Sequence, residues 1–477
     1  MKKKRIYLMI EIKKRELEAR LYFAFIASLE GYSVVFGKKG EIYARRNLLK
    51  PGIVVFKSIG PKNTKMIDDF IKCGYEVVAW DEEAFVTPKK INFFIKKRIN
   101  KNNLEKLRYF FSWGEIEHSY LCKTFPDFKD KIKITGNSRV DILKDEYNKV
   151  LEKEIENIKS KYGDFTLFAG NFTYINDFNV KKGIRLSDNL HKQGIFKKGT
   201  PEHDWVLGTE KIGEDVFNLL PNFFEEFSKS FPDRKMIIRP HPGENINTYY
   251  DMANGLKNIL IIQDDRNALS WIKASNALIS SNCTTSVEAY LLNRISINIF
   301  ATPGLESQEF YLPRNVSINT SNIKETIEAL KNIYNNSSSL ENIISKKDLN
   351  DVKKNIKKAL HNVDVNICSV KEMLIYLNKI NLKNNKDDKN INKYYFFYYL
   401  LRSYLGKIKY KVRMYFASQK QRDFEKYMKA KTYGLNIVEV KEKFKIISNA
   451  GRKNQNDFDV KEIIPRIFCV EKKLIKK

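Results

Sequence analysis

Short apolar runs alternate with amphipathic stretches along the first 140 residues of the chain. Residues 5–10 predict a strand, and residues 15–29 predict a helix because large apolar residues recur every fourth position on one face. Further strands are predicted at 33–36, 53–56, 76–80, 109–112 and 132–135, with a helix at 64–72. Strands that alternate with helices predict βαβ units and a parallel sheet.

The same alternation resumes after a charged helical segment at residues 140–162. Strands are predicted at 165–169, 235–239, 259–262, 277–280 and 295–300, and helices at 322–334 and 346–377. The polar segment 177–204 is typical of a long insertion or mobile loop near a cleft. We therefore predict an α/β fold with two doubly wound, Rossmann-like domains, residues 1–140 and 141–380, facing a cleft that binds ligands at the carboxyl ends of the strands.

The net charge is strongly positive and unevenly distributed. The chain has 86 Lys and Arg against 57 Asp and Glu, a formal net charge of +29, and residues 381–477 contain 25 of the basic and 10 of the acidic residues. We predict that these residues form a basic, aromatic-rich C-terminal extension, beginning with a linker at 381–393. In residues 394–416 apolar side chains alternate with cations, which favours an anionic membrane surface. Ordinary helix packing is the alternative, and nucleic acid binding is the least favoured.

Composition excludes several classes of protein. At 43% hydrophobic residues the chain is not disordered, and its longest apolar run, residues 394–401, is far shorter than the roughly 20 residues of a membrane-spanning helix. The apolar run at 6–10 is too short for a signal peptide. Five scattered cysteines fit a reducing compartment and, like the five histidines, form no metal-ligand cluster, so we expect no metal. We expect a cytoplasmic protein, peripheral at the inner face of the cell membrane.

The strongest local motif is Arg239-Pro240-His241-Pro242-Gly243-Glu244, directly after a predicted strand. Two prolines force a sharp turn at the carboxyl end of the sheet, where Arg239 offers a planar fork for phosphate. His241 could donate a hydrogen bond or a proton to a departing phosphate. The alternative is a rigid turn whose Arg and His satisfy nearby carbonyl groups.

A second motif, residues 280–289, also follows a strand and opens a helix. Helix N-termini and hydroxyl side chains suit phosphate, which makes Ser281, Thr284, Thr285 and Ser286 candidate nucleotide ligands and Glu288 a candidate for the ribose hydroxyl groups. A capping box formed by Thr285 and Glu288 needs no ligand and remains the alternative.

Polar residues follow strands of the first domain as well. Asp81, Glu82 and Glu83 could supply a general base or nucleophile, or could simply begin a helix. The Arg15, Glu16 and Arg20 group could bind an acceptor or form a solvated face. Two glycine turns, with Asn137 and Arg139 in one and Asn171 in the other, could touch a ligand or only turn the chain.

The order of these motifs resembles that of bacterial surface-carbohydrate biosynthesis proteins, glycosyltransferases of the GT-B type. The His-Pro element at 241–242 and the Ser/Thr-rich segment 281–288 are similar to those of the CMP-Kdo and CMP-sialic acid transferases and, more distantly, of the CDP-glycerol polymer transferases. The resemblance covers residues 5 to 310. It implies that Arg239, His241, Glu244, Asn171 and the segment 281–288 bind the activated donor, while the first domain receives the acceptor and supplies an acid from residues 81–83.

We therefore expect a glycosyltransferase that moves a sugar, with a Kdo-like sugar as one candidate, from a nucleotide donor, CMP-linked by preference, to a surface polysaccharide or glycolipid acceptor of capsule or lipopolysaccharide type. No cofactor is expected beyond the nucleotide-sugar co-substrate. The alternatives are a CDP-polyol phosphotransferase, a non-catalytic scaffold of a glycan assembly complex, and an RNA-binding protein that uses the basic extension.

Overall fold

The computed structural model describes most of the chain: residues 3–82, 98–177, 185–192, 194, 196–241, 243–264, 266–299, 310–335, 346–382, 398, 401, 404–405, 408–409, 411–418, 421–422 and 434–473. These residues form two compact units. The first combines residues 3–82, 98–150 and the described residues beyond 356, and the second is the described part of 151–356. Among the described residues, no helix has both the length and the apolar composition that a bilayer span requires.

The first domain begins with six parallel strands. They are β1 (Arg5–Ile10), β2 (Ser33–Lys38), β3 (Ile53–Phe56), β4 (Glu76–Trp80), β5 (Tyr109–Ser112) and β6 (Ile132–Ile134), in the order β2-β1-β3-β4-β5-β6. The helices between them are Lys13–Leu29, Lys39–Ala44, Thr64–Lys72, Lys101–Lys106, Glu115–Thr124 and Ser138–Asp141, with 3-10 turns at Pro61–Asn63, Pro126–Lys131 and Asn148–Leu151. The strand order reverses between β1 and β3, so ligands are expected at the carboxyl ends of these strands.

The second domain has its own sheet of six parallel strands. They are β7 (Phe165–Ala169), β8 (Lys235–Arg239), β9 (Ile259–Ile261), β10 (Ala277–Ser280), β11 (Ile295–Ile299) and β12 (Ile318–Thr320), in the order β12-β11-β10-β7-β8-β9. Its helices are Glu152–Tyr162, Leu186–Lys192, Pro201–Ser230, Ile246–Met252, Ala268–Ala274, Thr285–Leu291, Tyr311–Asn315, Ile323–Asn335 and Lys346–Ala359. The two sheets confirm the predicted fold class of two Rossmann-like α/β domains.

The chain then returns to the first domain, which the sequence analysis did not anticipate. The returning elements are a 3-10 turn at His361–Val363, helices Ser369–Leu377 and Ile437–Ala450, a turn at Gln455–Asp457, and the strands β13 (Phe458–Ile464) and β14 (Ile467–Lys472). Strand β14 pairs antiparallel with β2 and with β13, which makes an eight-stranded sheet. The prediction of one C-terminal extension over 381–477 is therefore wrong for residues 434–473, and the predicted boundary at 380 places the return in the wrong domain.

Buried polar contacts fix the start of this return. Asn362 donates to the backbone oxygen of Asn137 (3.0 Å) and to Asp141 (2.8 Å), and Ser369 donates its backbone N–H to Asp141 (3.1 Å). Gly136, with φ of 75°, leaves room for this contact, because a Cβ there would lie 2.1 Å from the Asn362 side-chain oxygen. Asp141 is thus a structural anchor.

The returning helix Ile437–Ala450 explains why the first long helix is buried on nearly every side. In the helix Lys13–Leu29 even Glu16, Glu18 and Arg20 are at most 4% exposed. Lys443 reaches Glu18 at 2.6 Å across the two helices. The alternative of a solvated helix face is therefore wrong, because Glu16 and Arg20 are buried against Lys57 and Glu82, while the returning helix covers Glu18.

Two further predictions need correction. The segment 177–204, predicted as a long insertion or mobile loop, contains the helix Leu186–Lys192 and the start of the 30-residue helix Pro201–Ser230. Residues 178–184 of this segment lie outside the described residues. The helix predicted over 346–377 is two helices, Lys346–Ala359 and Ser369–Leu377, separated by the 3-10 turn.

Candidate functional site

Three loops of the second domain meet at the point where its strand order reverses. They follow the adjacent strands β10, β7 and β8 and comprise residues 281–284, 170–176 and 240–245. Open α/β sheets bind ligands at this position. Two of the three loops carry the motifs that the sequence analysis selected.

Glu244 ties two of these loops together. Its buried carboxylate accepts the backbone N–H groups of Phe172 (3.0 Å) and His241 (3.1 Å) and the hydroxyl of Tyr249. Burial raises the pKa of Glu244, and the three hydrogen bonds oppose that rise. Glu244 was predicted as a donor ligand; its hydrogen bonds instead make it the residue that positions the His241 loop.

The same two loops are joined along their backbones. Asn245 donates its backbone N–H to the oxygen of Asn176 (2.8 Å), and the Asn176 side chain donates to the oxygen of Asn245 (3.0 Å). Gly170 must be glycine here, since a Cβ would lie 2.7 Å from the Tyr249 hydroxyl and 3.1 Å from a Glu244 oxygen. The half-buried Asn171 follows immediately and stays a candidate ligand.

His241 is exposed at the tip of its loop, and its ring orientation is fixed. The Nδ1 atom accepts the backbone N–H of Gly243 at 3.1 Å. An imidazole nitrogen that accepts a hydrogen bond carries no proton, so the neutral ring is protonated at Nε2. Nε2 is therefore the donor that His241 can offer to a phosphate oxygen.

Arg239 has a different role from the one predicted. Its NH2 group donates to the backbone oxygen of Arg266 (2.6 Å), it lies 3.6 Å from an Asp264 carboxylate oxygen, and its guanidinium stacks 5.9 Å from the Trp271 ring centre. Burial lowers its pKa, opposed by Asp264. Arg239 ends β8 and packs against Trp271 of the helix Ala268–Ala274, so we do not include it among the donor ligands.

The Ser/Thr-rich segment divides into structural and accessible residues. Ser286 is fully buried and shares a 2.9 Å hydrogen bond with Ser280, and Ser281 and Glu288 are 7% and 8% exposed. Thr284 is the residue before the helix Thr285–Leu291, so the capping box that required Thr285 at the cap position is wrong. Thr284 and Thr285 are half-buried and remain candidate ligands.

Asn282 sets the shape of this turn. It adopts a left-handed backbone with φ of 46°, its N–H donates to Asn298 at 2.7 Å, and its side-chain oxygen accepts the N–H of Phe310 at 2.6 Å. Asparagine tolerates this conformation better than most residues. Sequence analysis passed over Asn282 because the partner residues lie 16 and 28 positions away.

In the first domain, Glu82 is an ion-pair partner rather than a base. It is 2% exposed, receives Arg20 NH2 at 2.5 Å and Trp80 Nε1 at 3.1 Å. Burial alone would raise its pKa, but nearby arginines, Arg20 and Arg139 foremost, lower it to about 2. A carboxylate with so low a pKa is a poor proton acceptor, so the catalytic prediction for Glu82 is corrected.

Of the other two predicted acids, Asp81 is described and also forms an ion pair. Asp81 pairs with Arg98 and is 8% exposed, while its backbone oxygen accepts the indole N–H of Trp113. Glu83 lies outside the described residues.

The predicted acceptor residues do come together. Glu16 accepts the backbone N–H groups of Glu11 (3.0 Å) and Ile12 (3.1 Å) and pairs with Lys57 at 2.8 Å. Arg20 lies 3.9 Å from Glu16, and Arg15 is 3.9 Å from the same carboxylate. Glu16 therefore holds the start of the helix and two cations in place.

Asn137 and Arg139 join the same region through Glu82. Arg139 NH1 donates to the Glu82 backbone oxygen at 2.8 Å, and the Arg139 backbone N–H donates to the Asn137 side chain at 3.0 Å. Arg139 also stacks 5.8 Å from the Trp113 ring centre. Both residues are at most 7% exposed.

Glu117 is a functional candidate that the sequence analysis missed. It lies on the helix after β5, is 8% exposed, and one of its oxygens accepts the Trp113 backbone N–H at 2.7 Å. Burial, together with the negative charge of Asp81, raises its pKa to about 8. A carboxyl group that exchanges its proton near neutral pH suits general acid–base chemistry. No sequence signal marks it, because Asp81 is 36 positions away.

The described residues contain no group of three or more His, Cys, Asp or Glu side chains arranged to hold a metal ion.

Comparisons with known proteins bear on one segment of the chain and on its fold. A family model described as a protein of unknown function (DUF354) matches residues 164–360, which include all three loops of the second domain. No curated protein matches the chain at a significant level.

Solved structures similar in fold include the UDP-GlcNAc 2-epimerase from Neisseria meningitidis bound to UDP-GlcNAc (12% identity, TM-score 0.47, 80% of this chain and 100% of that chain covered). The UDP-GlcNAc 2-epimerase from Methanocaldococcus jannaschii is 15% identical, with a TM-score of 0.44 and coverages of 75% and 99%. A glycosyltransferase from Rickettsia africae is 12% identical, with a TM-score of 0.43 and coverages of 80% and 100%. At these identities and TM-scores we take no functional argument from the likeness.

Proposed function

We propose that the protein is a glycosyltransferase whose second domain binds a nucleotide-activated sugar and whose first domain binds the acceptor. The observation that carries the proposal is the fixed His241 at the switch point of the second sheet. Glu244 holds its backbone, the Gly243 N–H donates to its Nδ1 atom, and the ring lies in a loop at the place where such sheets bind phosphates, with Nε2 as its donor atom. CMP is the preferred nucleotide, as the resemblance to the CMP-Kdo and CMP-sialic acid transferases implies.

The transfer step moves one proton and exchanges one bond. The bond between the anomeric carbon and the donor phosphate oxygen breaks, and a bond to the acceptor hydroxyl oxygen forms. The proton of the acceptor hydroxyl leaves to a base, for which Glu117 is the candidate of the first domain, and the departing nucleotide phosphate is stabilised in the second domain by the Nε2–H of His241. Burial and the negative charge of Asp81 raise the pKa of Glu117, so Glu117 becomes an effective base as the pH rises.

Product analysis tests the activity. The full chain is incubated with CMP-, UDP- and GDP-linked sugars and a glycan acceptor, and the released nucleotide and the extended glycan are quantified. We expect release that depends on the acceptor and that falls at least about a hundredfold in His241→Ala, since removing one hydrogen-bond donor to a developing negative charge costs that much. Lys229→Ala, at a residue 71% exposed on the surface, is the matched control and should equal the wild type. No acceptor-dependent release with any donor would contradict the proposal.

A CDP-polyol phosphotransferase is the second candidate, because the same fixed histidine would serve a donor whose phosphate is transferred. Phosphorus analysis of the product separates the two reactions, since only polyol-phosphate transfer leaves phosphorus in the polymer.

We also propose that residues 394–416 hold the protein at an anionic membrane surface. Every described residue from 398 to 415 is helical. Six apolar side chains spaced alternately three and four positions apart are 44–79% exposed: Tyr398, Leu401, Leu405, Ile408, Val412 and Tyr415. In a continuous helix of 3.6 residues per turn these spacings would place the six side chains on one face, with Lys409 and Lys411 on its two sides. Exposed apolar faces flanked by cations bind anionic lipid surfaces.

Vesicle sedimentation tests this location. Ile408→Glu combined with Val412→Glu should abolish pelleting with phosphatidylserine vesicles, while Val438→Glu, at a residue 71% exposed on another helix, should not. Point substitutions are preferable to deleting residues 381–477, because that deletion removes β13 and β14 from the sheet. Equal pelleting of both variants, or pelleting with neutral phosphatidylcholine alone, would refute the proposal.

A further inference from the structure

Buried hydrogen-bond donors without partners gather around Arg20 in the first domain. Arg20 is 1% exposed, and its NH2 group donates to Glu82 at 2.5 Å. Its Nε and NH1 atoms have no hydrogen-bond partner among the described residues. The guanidinium stacks on Trp80, 4.7 Å from the ring centre, so the unpaired edge cannot turn away. A guanidinium is seldom buried with two of its three nitrogens unpaired.

Neighbouring residues also have buried donor atoms without hydrogen-bond partners among the described residues. Asn137 and Ser138 are fully buried, and the amide nitrogen of Asn137 and the hydroxyl of Ser138 have no partner among the described residues. The buried Nε atom of Arg15 also has no hydrogen-bond partner among the described residues. The residues belong to one network, because Arg139 links Glu82 to Asn137 by hydrogen bonds of 2.8 and 3.0 Å.

The unpaired atoms define the chemistry of a ligand. They are donor atoms of Arg15, Arg20, Asn137 and Ser138, and the only unpaired acceptor of this network among the described residues is Glu82 Oε2. A ligand that satisfies them must supply acceptors. The charges agree, because Arg15, Arg20, Lys57 and Arg139 surround the two buried carboxylates of Glu16 and Glu82, and this excess of cations lowers the pKa of Glu82.

We propose that this cluster, Arg15, Arg20, Asn137, Ser138 and Arg139, binds the carboxylate or phosphate group of an anionic acceptor. The assignment of this anion as the acceptor rests on the proposed function, whereas the binding of an anion by the cluster does not. Planar or tetrahedral oxyanions match the fork of a guanidinium and the adjacent amide and hydroxyl donors. A neutral sugar supplies hydroxyl groups but no charge to balance the cations. The site therefore selects acidic sugars or phosphate-linked saccharides.

Calorimetric titration of the full chain tests the site with three probes of similar size: glucuronate, glucose 1-phosphate and neutral methyl glucoside. We expect at least one anion to bind and the neutral sugar not to bind. Arg15→Gln should weaken anion binding about tenfold and Ser138→Ala about threefold, because each removes a donor to a charged group. Neither side chain is needed for folding in our account, since the Ser138 hydroxyl makes no internal hydrogen bond among the described residues.

Controls separate this site from the donor site. Lys65→Gln, at a side chain 85% exposed on the same domain, should leave anion affinity unchanged. His241→Ala should leave the affinity for glucuronate, which carries no phosphate, unchanged, while nucleotide binding is measured in a separate titration. Binding of glucuronate alone would identify a carboxylate ligand, and binding of glucose 1-phosphate alone a phosphate ligand. The proposal is overturned if neither anion binds, if both cluster variants bind like the wild type, or if His241→Ala abolishes anion binding.

Discussion

Replacing Glu244 with alanine should loosen two loops of the second domain while the rest of the domain stays folded. The Glu244 carboxylate accepts the N–H groups of Phe172 and His241 at 3.0 and 3.1 Å. A hydrogen bond to a charged group contributes about 1.5–3 kcal/mol, so losing both should cost about 3 kcal/mol locally. Because 1.36 kcal/mol corresponds to a factor of ten, exchange of the two amide protons should accelerate about a hundredfold.

Hydrogen–deuterium exchange followed by mass spectrometry measures this directly in the full chain. Peptides over 170–176 and 240–245 report the loops, and a peptide over β3 of the first domain reports any global unfolding. Tyr249→Phe is the control, because the Tyr249 hydroxyl uses the other carboxylate oxygen and its removal spares both N–H bonds. Equal acceleration in Tyr249→Phe and Glu244→Ala, or none in Glu244→Ala, would refute the assignment of Glu244 as the residue that joins the loops.

Three further predictions concern single side chains. The pKa of Glu82 falls from 4.5 in the unfolded chain to about 2 in the folded one, so Glu82 should add about 3 kcal/mol to the free energy of unfolding above pH 4.5. This contribution should be lost as the pH falls towards 2. Acid titration followed by tryptophan fluorescence should show the loss in the wild type and not in Glu82→Gln. The pKa of Glu117 near 8 predicts that kcat/KM rises with pH and levels off above about pH 8, and Glu117→Gln should lack this limb and lose about a hundredfold in rate. Gly170→Ala places a Cβ 2.7 Å from the Tyr249 hydroxyl and should lower stability by about 1–3 kcal/mol in thermal melts; an unchanged Tm would contradict that close contact.

The alternation of strands and helices predicted the two sheets because a parallel strand and its crossover helix are adjacent in sequence. Five of the six strands of the second domain, β7 to β11, lie within the residue ranges predicted from the sequence. The return of the chain to the first domain could not be predicted in this way. It depends on contacts such as Asn362 with Asp141 and β14 with β2, which join residues more than 200 positions apart.

The candidate site shows the same division. The sequence located His241 and the polar strand ends, because residue type and position after a strand are local properties. It could not tell a ligand from an internal partner. Three charged residues have the right chemistry for a ligand site but interact inside the fold. Glu244 accepts backbone N–H groups, Arg239 lies against Asp264, and Glu82 pairs with Arg20. Glu117 gave no local signal because its raised pKa arises from burial and from Asp81.

Calorimetric titration of the full chain with CMP-, UDP- and GDP-linked sugars tests the central claim most directly. The account predicts that at least one of these donors binds the wild-type protein and Lys229→Ala equally, and that His241→Ala weakens this binding about tenfold or more through the loss of a hydrogen bond to a charged phosphate. No binding of any of the donors, or equal affinity in His241→Ala, would contradict it.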